Sequence, residues 1–161
     1  ALRERAEFDQ VTALYNRATF QEMVENALDD SREEVLNAFI EFDLDNFKQV
    51  NDTFGHLAGD ELLRSVGKAV TGCCRQEDVV GRLGGDEFAI WIGDVGSREN
   101  ALAKARQVAQ ALSRISGDIS ASFGVVAVQG KSSFRELFRK ADAAMYQAKR
   151  SGKNECCLYQ D

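Results

Sequence analysis

Gly84-Gly85-Asp86-Glu87-Phe88 stands between two runs of strand-forming residues, Val79-Val80 before it and Phe88-Ala89-Ile90-Trp91-Ile92 after it. No other stretch constrains the fold as tightly. Consecutive glycines supply the positive φ angles that a two-residue turn requires, so the segment is predicted to be a tight hairpin with both acids at a rigid tip. Adjacent carboxylates repel each other, and a bound divalent cation relieves that repulsion when both stay ionised. Taken alone, the five residues are read more simply as a solvated hairpin with surface acids.

The periodicity around the hairpin alternates between helix and strand. Phe20, Met23, Val24, Ala27 and Leu28 recur at helical spacing, and residues 38–44 form a short apolar run ending on acids, as a buried strand does. Residues 57–70 return to the helical period. Ala101, Leu102, Ala105, Val108, Ala109 and Leu112 make one apolar helix face, and residues 119–128 read as a central strand. Phe134, Leu137, Phe138, Ala141, Ala144, Met145 and Ala148 mark a last long helix, with a final strand over 155–159. This pattern predicts an α/β fold, a single-domain sandwich of a central sheet flanked by helices. The chain contains no proline, and neither a repeat nor a low-complexity segment divides it. Residues 1–7 are charged and helix-prone and read as the end of a linker helix, leaving 8–161 as the folded domain.

Composition narrows the function classes. The chain has 161 residues, 44% of them hydrophobic, enough for one domain with a substantial core. A net charge of −6 argues against a general nucleic-acid or anionic-membrane surface, which needs clustered Lys and Arg. A polyphosphate ligand would therefore need a metal partner. No apolar run approaches the roughly 20 residues of a membrane span, and no signal-peptide pattern is present, so the domain is expected to be soluble and cytoplasmic. The cysteines come as two adjacent pairs, Cys73-Cys74 and Cys156-Cys157, without C-x-x-C spacing, and are expected to be reduced, half-buried packing residues.

A second cluster lies some forty residues before the hairpin, running from Phe42-Asp43-Leu44-Asp45-Asn46-Phe47-Lys48 through Asn51-Asp52-Thr53-Phe54-Gly55-His56 to Gly59-Asp60. The two clusters, in this order and spacing, resemble the GGDEF family of bacterial diguanylate cyclases, which join two GTP molecules into cyclic di-GMP. The resemblance extends to Asp9-Gln10-Val11-Thr12-Ala13-Leu14-Tyr15-Asn16-Arg17, similar to the family's D-x-L-T-G-L-x-N-R. It continues to Ala141-Asp142, Tyr146-Gln147-Ala148-Lys149 and Gly152-Lys153-Asn154 near the other end. Several ordered motifs covering nearly the whole chain are far more specific than one glycine-rich loop.

The resemblance implies a mixed sheet like that of polymerase palms and nucleotidyl cyclases. It implies condensation of two GTP into cyclic di-GMP and two pyrophosphates, by attack of a 3′-hydroxyl on an α-phosphate. Two magnesium ions per GTP, with manganese as a substitute, suit that chemistry: one lowers the hydroxyl's pKa and one neutralises the leaving pyrophosphate. By resemblance the metal ligands are Asp43, the Leu44 carbonyl, Asp86 and Glu87. Asp86 is the expected proton acceptor, with Glu87 beside it, and Lys48 balances phosphate charge. Asn51 and Asp60 match the guanine-recognising positions, with Phe47 and His56 as further substrate contacts. Gly84 and Gly85 let the backbone approach the phosphates, and Lys149 and Lys153 look like a phosphate clamp. Simpler readings stand beside these: Asp43 or Asp45 as a cap for the helix starting near Asn46, and Lys149 and Lys153 as cations favoured by a helix C-terminus.

Arg75-Gln76-Glu77-Asp78 lies before the glycine pair at the spacing of the family's R-x-x-D product-inhibition site, which implies that Arg75 and Asp78 bind cyclic di-GMP. Arg106 is the candidate for a second arginine there. Since each domain holds one GTP, a homodimer is implied for catalysis. An upstream sensory or receiver domain, which could be membrane-anchored, is implied for regulation. The alternatives are a catalytically silent GTP- or cyclic di-GMP-binding module, or a cyclase making another cyclic nucleotide; Asp60 favours guanine. The chain departs from the family pattern at Ala13 for glycine, Gln10 for proline, Leu83 for tyrosine and Lys153 for arginine. None of these removes a metal or guanine ligand, although lysine at 153 loses a bidentate contact.

Overall fold

The computed structural model describes residues 6–161; most of the predicted linker, residues 1–5, lies outside the described residues. Ten elements follow in order: α1 (Arg17–Asp29), β1 (Leu36–Leu44), α2 (Phe47–Phe54), α3 (His56–Cys73), β2 (Val79–Gly84), β3 (Glu87–Ile92), α4 (Arg98–Ser113), β4 (Ala121–Gln129), α5 (Phe134–Arg150) and β5 (Cys156–Leu158). Three helices start where a short polar side chain accepts a backbone N–H: Asn16 from Thr19, Ser97 from Asn100, and Ser133 from Glu136.

The strands form one mixed sheet in the order β2-β3-β1-β4-β5, antiparallel except for the β4/β5 pair. Strand alternation divides the core in two. On one face Phe42 stacks on Phe88 and Phe123, with ring centroids 5.2 and 4.7 Å apart, and Leu63, Val66, Val70, Ala105, Val108 and Leu112 of α3 and α4 cover them. On the other face Phe39, Ala89, Trp91 and Val126 pack against Phe20, Val24 and Leu28 of α1 and Phe134, Leu137 and Ala141 of α5. At Gly124 helix and sheet touch through backbone, since a Cβ there would stand 2.0 Å from the Ala141 carbonyl oxygen. That contact seats α5 directly over the centre of the sheet.

The elements fall where the hydrophobic periods put them, with two refinements. Gly55, at φ 90°, ends a short α2 and opens α3, so the helix expected to start near Asn46 and the helical run over 57–70 are two helices joined at one glycine. In the hairpin both glycines have positive φ, 146° at Gly84 and 50° at Gly85, but Gly84 already pairs with Glu87. The turn residues are therefore Gly85 and Asp86, not the two glycines, and a bulge between Arg82 and Gly84 absorbs Leu83.

The outer edge of β2 is covered by the N-terminal segment. Tyr15 bridges Gly81, and the Arg82 amide donates to the Tyr15 carbonyl at 3.0 Å. A turn precedes it in which Asp9 accepts from the Thr12 amide and hydroxyl, both at 2.8 Å, and from Arg82 Nη1 at 2.9 and 3.1 Å. Burial works against the Asp9 charge, but these bonds outweigh it and its pKa is lowered. The departure from the family pattern at Ala13 has a cost here: Ala13 sits at φ 62°, the left-handed region that favours glycine. Ala13→Gly should therefore raise stability by about 0.5–1 kcal/mol, measured by urea denaturation, where an alanine in an unstrained turn would instead lose stability on the same change.

Candidate functional site

Two strand registers assemble the acids. Asp43, at the end of β1, lies opposite Glu87 of β3 and opposite Ser122 of β4. Directly opposed residues share a face, so the Asp43 and Glu87 side chains stand side by side beneath α5. Asp86 in the adjoining turn accepts the Leu44 amide through its carbonyl at 3.4 Å, which ties the hairpin tip to the end of β1. Lys149, in the last turn of α5, reaches down to Asp43 Oδ2 at 2.5 Å. Asp43, Leu44, Asp86, Glu87 and Lys149 thus meet at one end of the sheet.

The charges there are crowded and partly dry. Burial raises the Asp43 carboxyl pKa, with Asp86 and Asp45 adding to the rise and Lys149 opposing it. Asp86 and Glu87 are raised in the same way, Glu87 also by the charge of Asp43. For Lys149 burial pulls downward, but the bond to Asp43 and the neighbouring acids win and hold its ammonium above the ordinary value. Asp43 Oδ1 is buried and has no hydrogen-bond partner. A buried carboxylate oxygen with one side bare is what a hard cation would complete, and carboxylates with a backbone carbonyl are the donor set suited to magnesium. Among the described residues no three acidic, histidine or cysteine side chains already converge as a ready ligand set; Lys149 occupies the place of a counter-ion instead.

Beside the acids lies an anion-receptive corner. The α2 helix begins after Asn46, which is left-handed at φ 62° and gives no side-chain cap, so neither Asp43 nor Asp45 caps it and its first amides stay available. Lys153 Nζ donates to Asn46 Oδ1 at 3.2 Å, bringing the turn after α5 to this helix start. Lys48 in the first turn of α2 and His56 at the start of α3 are exposed. Asn51 of α2 lies against α3 at Gly59, next to Asp60, with Phe47 also in contact there. Among the described residues neither Asn51 nor Asp60 makes a side-chain hydrogen bond to the protein. Gly84 and Gly85 are both exposed on the hairpin.

Arg75 and Asp78 occupy the opposite end of the β2/β3 hairpin. Asp78 is buried and accepts from the Arg75 amide at 2.8 Å and its Nη2 at 3.2 Å, while the same Nη2 donates to the Gly93 carbonyl at 2.7 Å. The arginine remains half-exposed and is in contact with Glu77. Arg106 stands near Cys156 of β5, across the sheet from Arg75, and does not join it.

Three more residues matter here: Arg82 and Glu41, which the sequence reading passed over, and Asp45, which has another role than the helix cap considered for it. Arg82 links Asp9 to the hairpin and donates to the Gly85 carbonyl at 2.9 Å. Asp45 accepts from Ser120 Oγ at 2.6 Å, Ser122 Oγ at 2.7 Å and the Asn154 amide at 3.0 Å, bracing β4 and the Lys153 turn against the end of β1. Glu41 is fully buried, and neither carboxylate oxygen has a partner. Burial, then the charges of Asp142, Glu87 and Asp43, push its pKa up to about 8 against the opposing charge of Arg17. The period-2 pattern of β1 places Glu41 on the same face as Asp43, a signal that was available.

A mixed five-stranded sheet flanked by helices on both faces, with acids opposed at one strand end, defines a palm-like α/β domain. The family model described as diguanylate cyclase, GGDEF domain matches residues 6–155, and the chain belongs to that family. It is 37% identical over 94% of its length to the bifunctional diguanylate cyclase/cyclic di-GMP phosphodiesterase MucR of Pseudomonas aeruginosa, covering 23% of that protein. It is 33% identical over 98% of its length to the cyclic di-GMP phosphodiesterase PdeR of Escherichia coli, covering 25%. The chain therefore spans about a quarter of the length of these curated relatives. Among solved structures, the GGDEF domain of P. aeruginosa TpbB superposes with a TM-score of 0.87 at 34% identity, over 95% of this chain and 94% of that one. The GGDEF domain of Caulobacter crescentus DgcB in complex with c-di-GMP has the same fold, with a TM-score of 0.89 at 24% identity and full coverage of both chains. Among the described residues no helix is long and apolar enough to cross a membrane.

Asp45→Ala should lower the unfolding free energy by on the order of 3 kcal/mol in urea titration, because it leaves the Ser122 hydroxyl buried without its acceptor; Asp45→Asn should cost about half as much. Glu41 sets a pH dependence. Its ordinary value is 4.5 and its folded value about 8, so between these the unfolded chain binds fewer protons and stability falls as pH rises. Metal-free protein should lose on the order of a few kcal/mol across that window, and Glu41→Gln should flatten the slope.

Proposed function

We propose that this domain is a diguanylate cyclase that condenses two GTP into cyclic di-GMP and two pyrophosphates. The observation that carries the reading is the register that sets Asp43 opposite Glu87, with Asp43 Oδ1 bare, beside an uncapped helix start flanked by lysines. In this reading Asp43, the Leu44 carbonyl, Asp86 and Glu87 would hold magnesium, which supplies acidification of the attacking 3′-hydroxyl and neutralisation of pyrophosphate. The chain's own groups do the rest. Asp86, its pKa already raised, accepts the hydroxyl proton. The first amides of α2, with Lys48, Lys149 and Lys153, hold the triphosphate. Asn51 and Asp60 read the guanine edge, with Phe47 and His56 alongside.

Two sizeable concavities, about 1090 Å³ beside Phe8, Tyr15 and Asn26 and about 500 Å³ between α1 and the start of α5, are lined by other residues. A smaller concavity, about 200 Å³, lies at the start of α2 against Leu44, Asp45, Asn46 and Phe47. Since the product joins two GTP and each domain would hold one, the reading includes a homodimer. The half-exposed Arg75 guanidinium supports product inhibition, cyclic di-GMP drawing Arg75 and then Asp78 out of their mutual pair. An upstream sensory or receiver domain is consistent with relatives about four times as long. The match to PdeR, whose name is that of a phosphodiesterase, supports the second reading, a silent GTP- or cyclic di-GMP-binding module.

Purified protein incubated with GTP and Mg²⁺ over a range of protein concentrations should yield cyclic di-GMP by chromatography, with a specific rate that rises with concentration. Asp86→Ala should reduce turnover by about a hundredfold or more, and Arg75→Ala should abolish inhibition by added cyclic di-GMP while leaving the initial rate intact. Absence of product at every concentration, with tight cyclic di-GMP binding, would instead favour the silent module.

A further inference from the structure

Gly59 lies inside α3, buried and in ordinary helical conformation, where glycine costs backbone entropy and alanine is the better helix former. No positive φ demands it. What demands it is space: a Cβ at Gly59 would stand 1.9 Å from Oδ1 and 3.0 Å from Cγ of Asn51, and 3.3 Å from Cζ of Phe47. The other glycines of α3 differ, since at Gly67 the first contact is 3.3 Å, to Thr12, and at Gly72 nothing lies within 4 Å. The Asn51 amide thus rests on the bare Cα of Gly59.

Among the described residues no hydrogen bond to the protein fixes that amide, so packing alone sets its direction. We propose that Gly59 is a positioning residue for Asn51: its missing side chain lets the amide lie against α3 beside Asp60, and so sets selectivity for guanine over adenine. The inference rests on the guanine-reading role proposed above for Asn51 and Asp60. A methyl group at position 59 meets the far end of a mobile side chain rather than backbone, so the asparagine swings away while the helix stays intact. Phe47 needs to give by only a few tenths of an ångström.

The test compares wild type, Gly59→Ala, Asn51→Ala and the double variant. Calorimetry with 3′-deoxyGTP and 3′-deoxyATP in Mg²⁺ reports binding without turnover, because neither nucleotide carries the attacking hydroxyl; thermal melts report the fold. Gly59→Ala should melt at or above the wild-type temperature and bind 3′-deoxyGTP about tenfold or more weakly, as expected for losing an amide contact. Its binding of 3′-deoxyATP should be unchanged, and the double variant should bind like Asn51→Ala alone. Wild-type binding by Gly59→Ala, with Asn51→Ala impaired, would overturn the positioning role and leave the guanine reading standing. Wild-type binding by Asn51→Ala would overturn that reading, and this inference with it. Additive losses in the double variant, or a Gly59→Ala protein that melts well below wild type, would show that Gly59 acts on something other than Asn51.

Discussion

β1 is hydrogen-bonded along nearly its whole length to β3 on one side and β4 on the other, and this double register fixes which face each of its residues takes. A slip of one residue would turn Phe42 out of the aromatic stack with Phe88 and Phe123 and put Asp43 in its place. The stack holds the register, and the register sets Asp43 beside Glu87 at the strand end. The aromatic stack on one face of the sheet therefore positions the acids on the other. Arg82 and Asp9 secure the hairpin from outside, and Asp45 secures the turn that follows α5.

Gathering these acids works against folding. Glu41, Asp43, Asp86 and Glu87 all have raised carboxyl pKa values, with burial the largest cause in each. Lys149 offsets one of them directly, and Asp43 Oδ1 and both oxygens of Glu41 stay without partners. Unsatisfied buried acids at a strand end are hard to explain as stability devices and straightforward as a site that waits for a cation or a proton. The bond from Lys149 to Asp43 gives the lysine two roles in the proposed reaction, counter-ion to the acid and clamp for phosphate, and a bound divalent cation would release it from the first.

Much of this was legible in the sequence because it rests on local pattern. Helical and strand periods located the elements, and the two clusters announced themselves by residue type and spacing. The turn was mislocated by one residue because a bulge absorbs Leu83, which is buried in the core, and leaves Gly84 paired with Glu87; local turn chemistry does not report that register shift. The roles of Asp45 and Arg82 were hidden because their partners lie 75 and 73 residues away, distances that local pattern does not reach. Asp45 looked like a helix cap by its position before α2, but its oxygens are taken by Ser120, Ser122 and Asn154. Gly59 was visible only as one residue of a motif. Its contact with Asn51 needs the packing of α2 on α3.

The central claim is that one strand end gathers metal ligands, phosphate clamp and guanine readers into a single site. A crystal structure of the protein with 3′-deoxyGTP and Mg²⁺ tests it most directly. The account predicts metal density against Asp43, the Leu44 carbonyl and the hairpin acids, phosphates at the start of α2, and the guanine between Asn51 and Asp60. Nucleotide bound elsewhere, for instance between α1 and the start of α5, with Lys149 still closed on Asp43 and no metal at the acids, would contradict it.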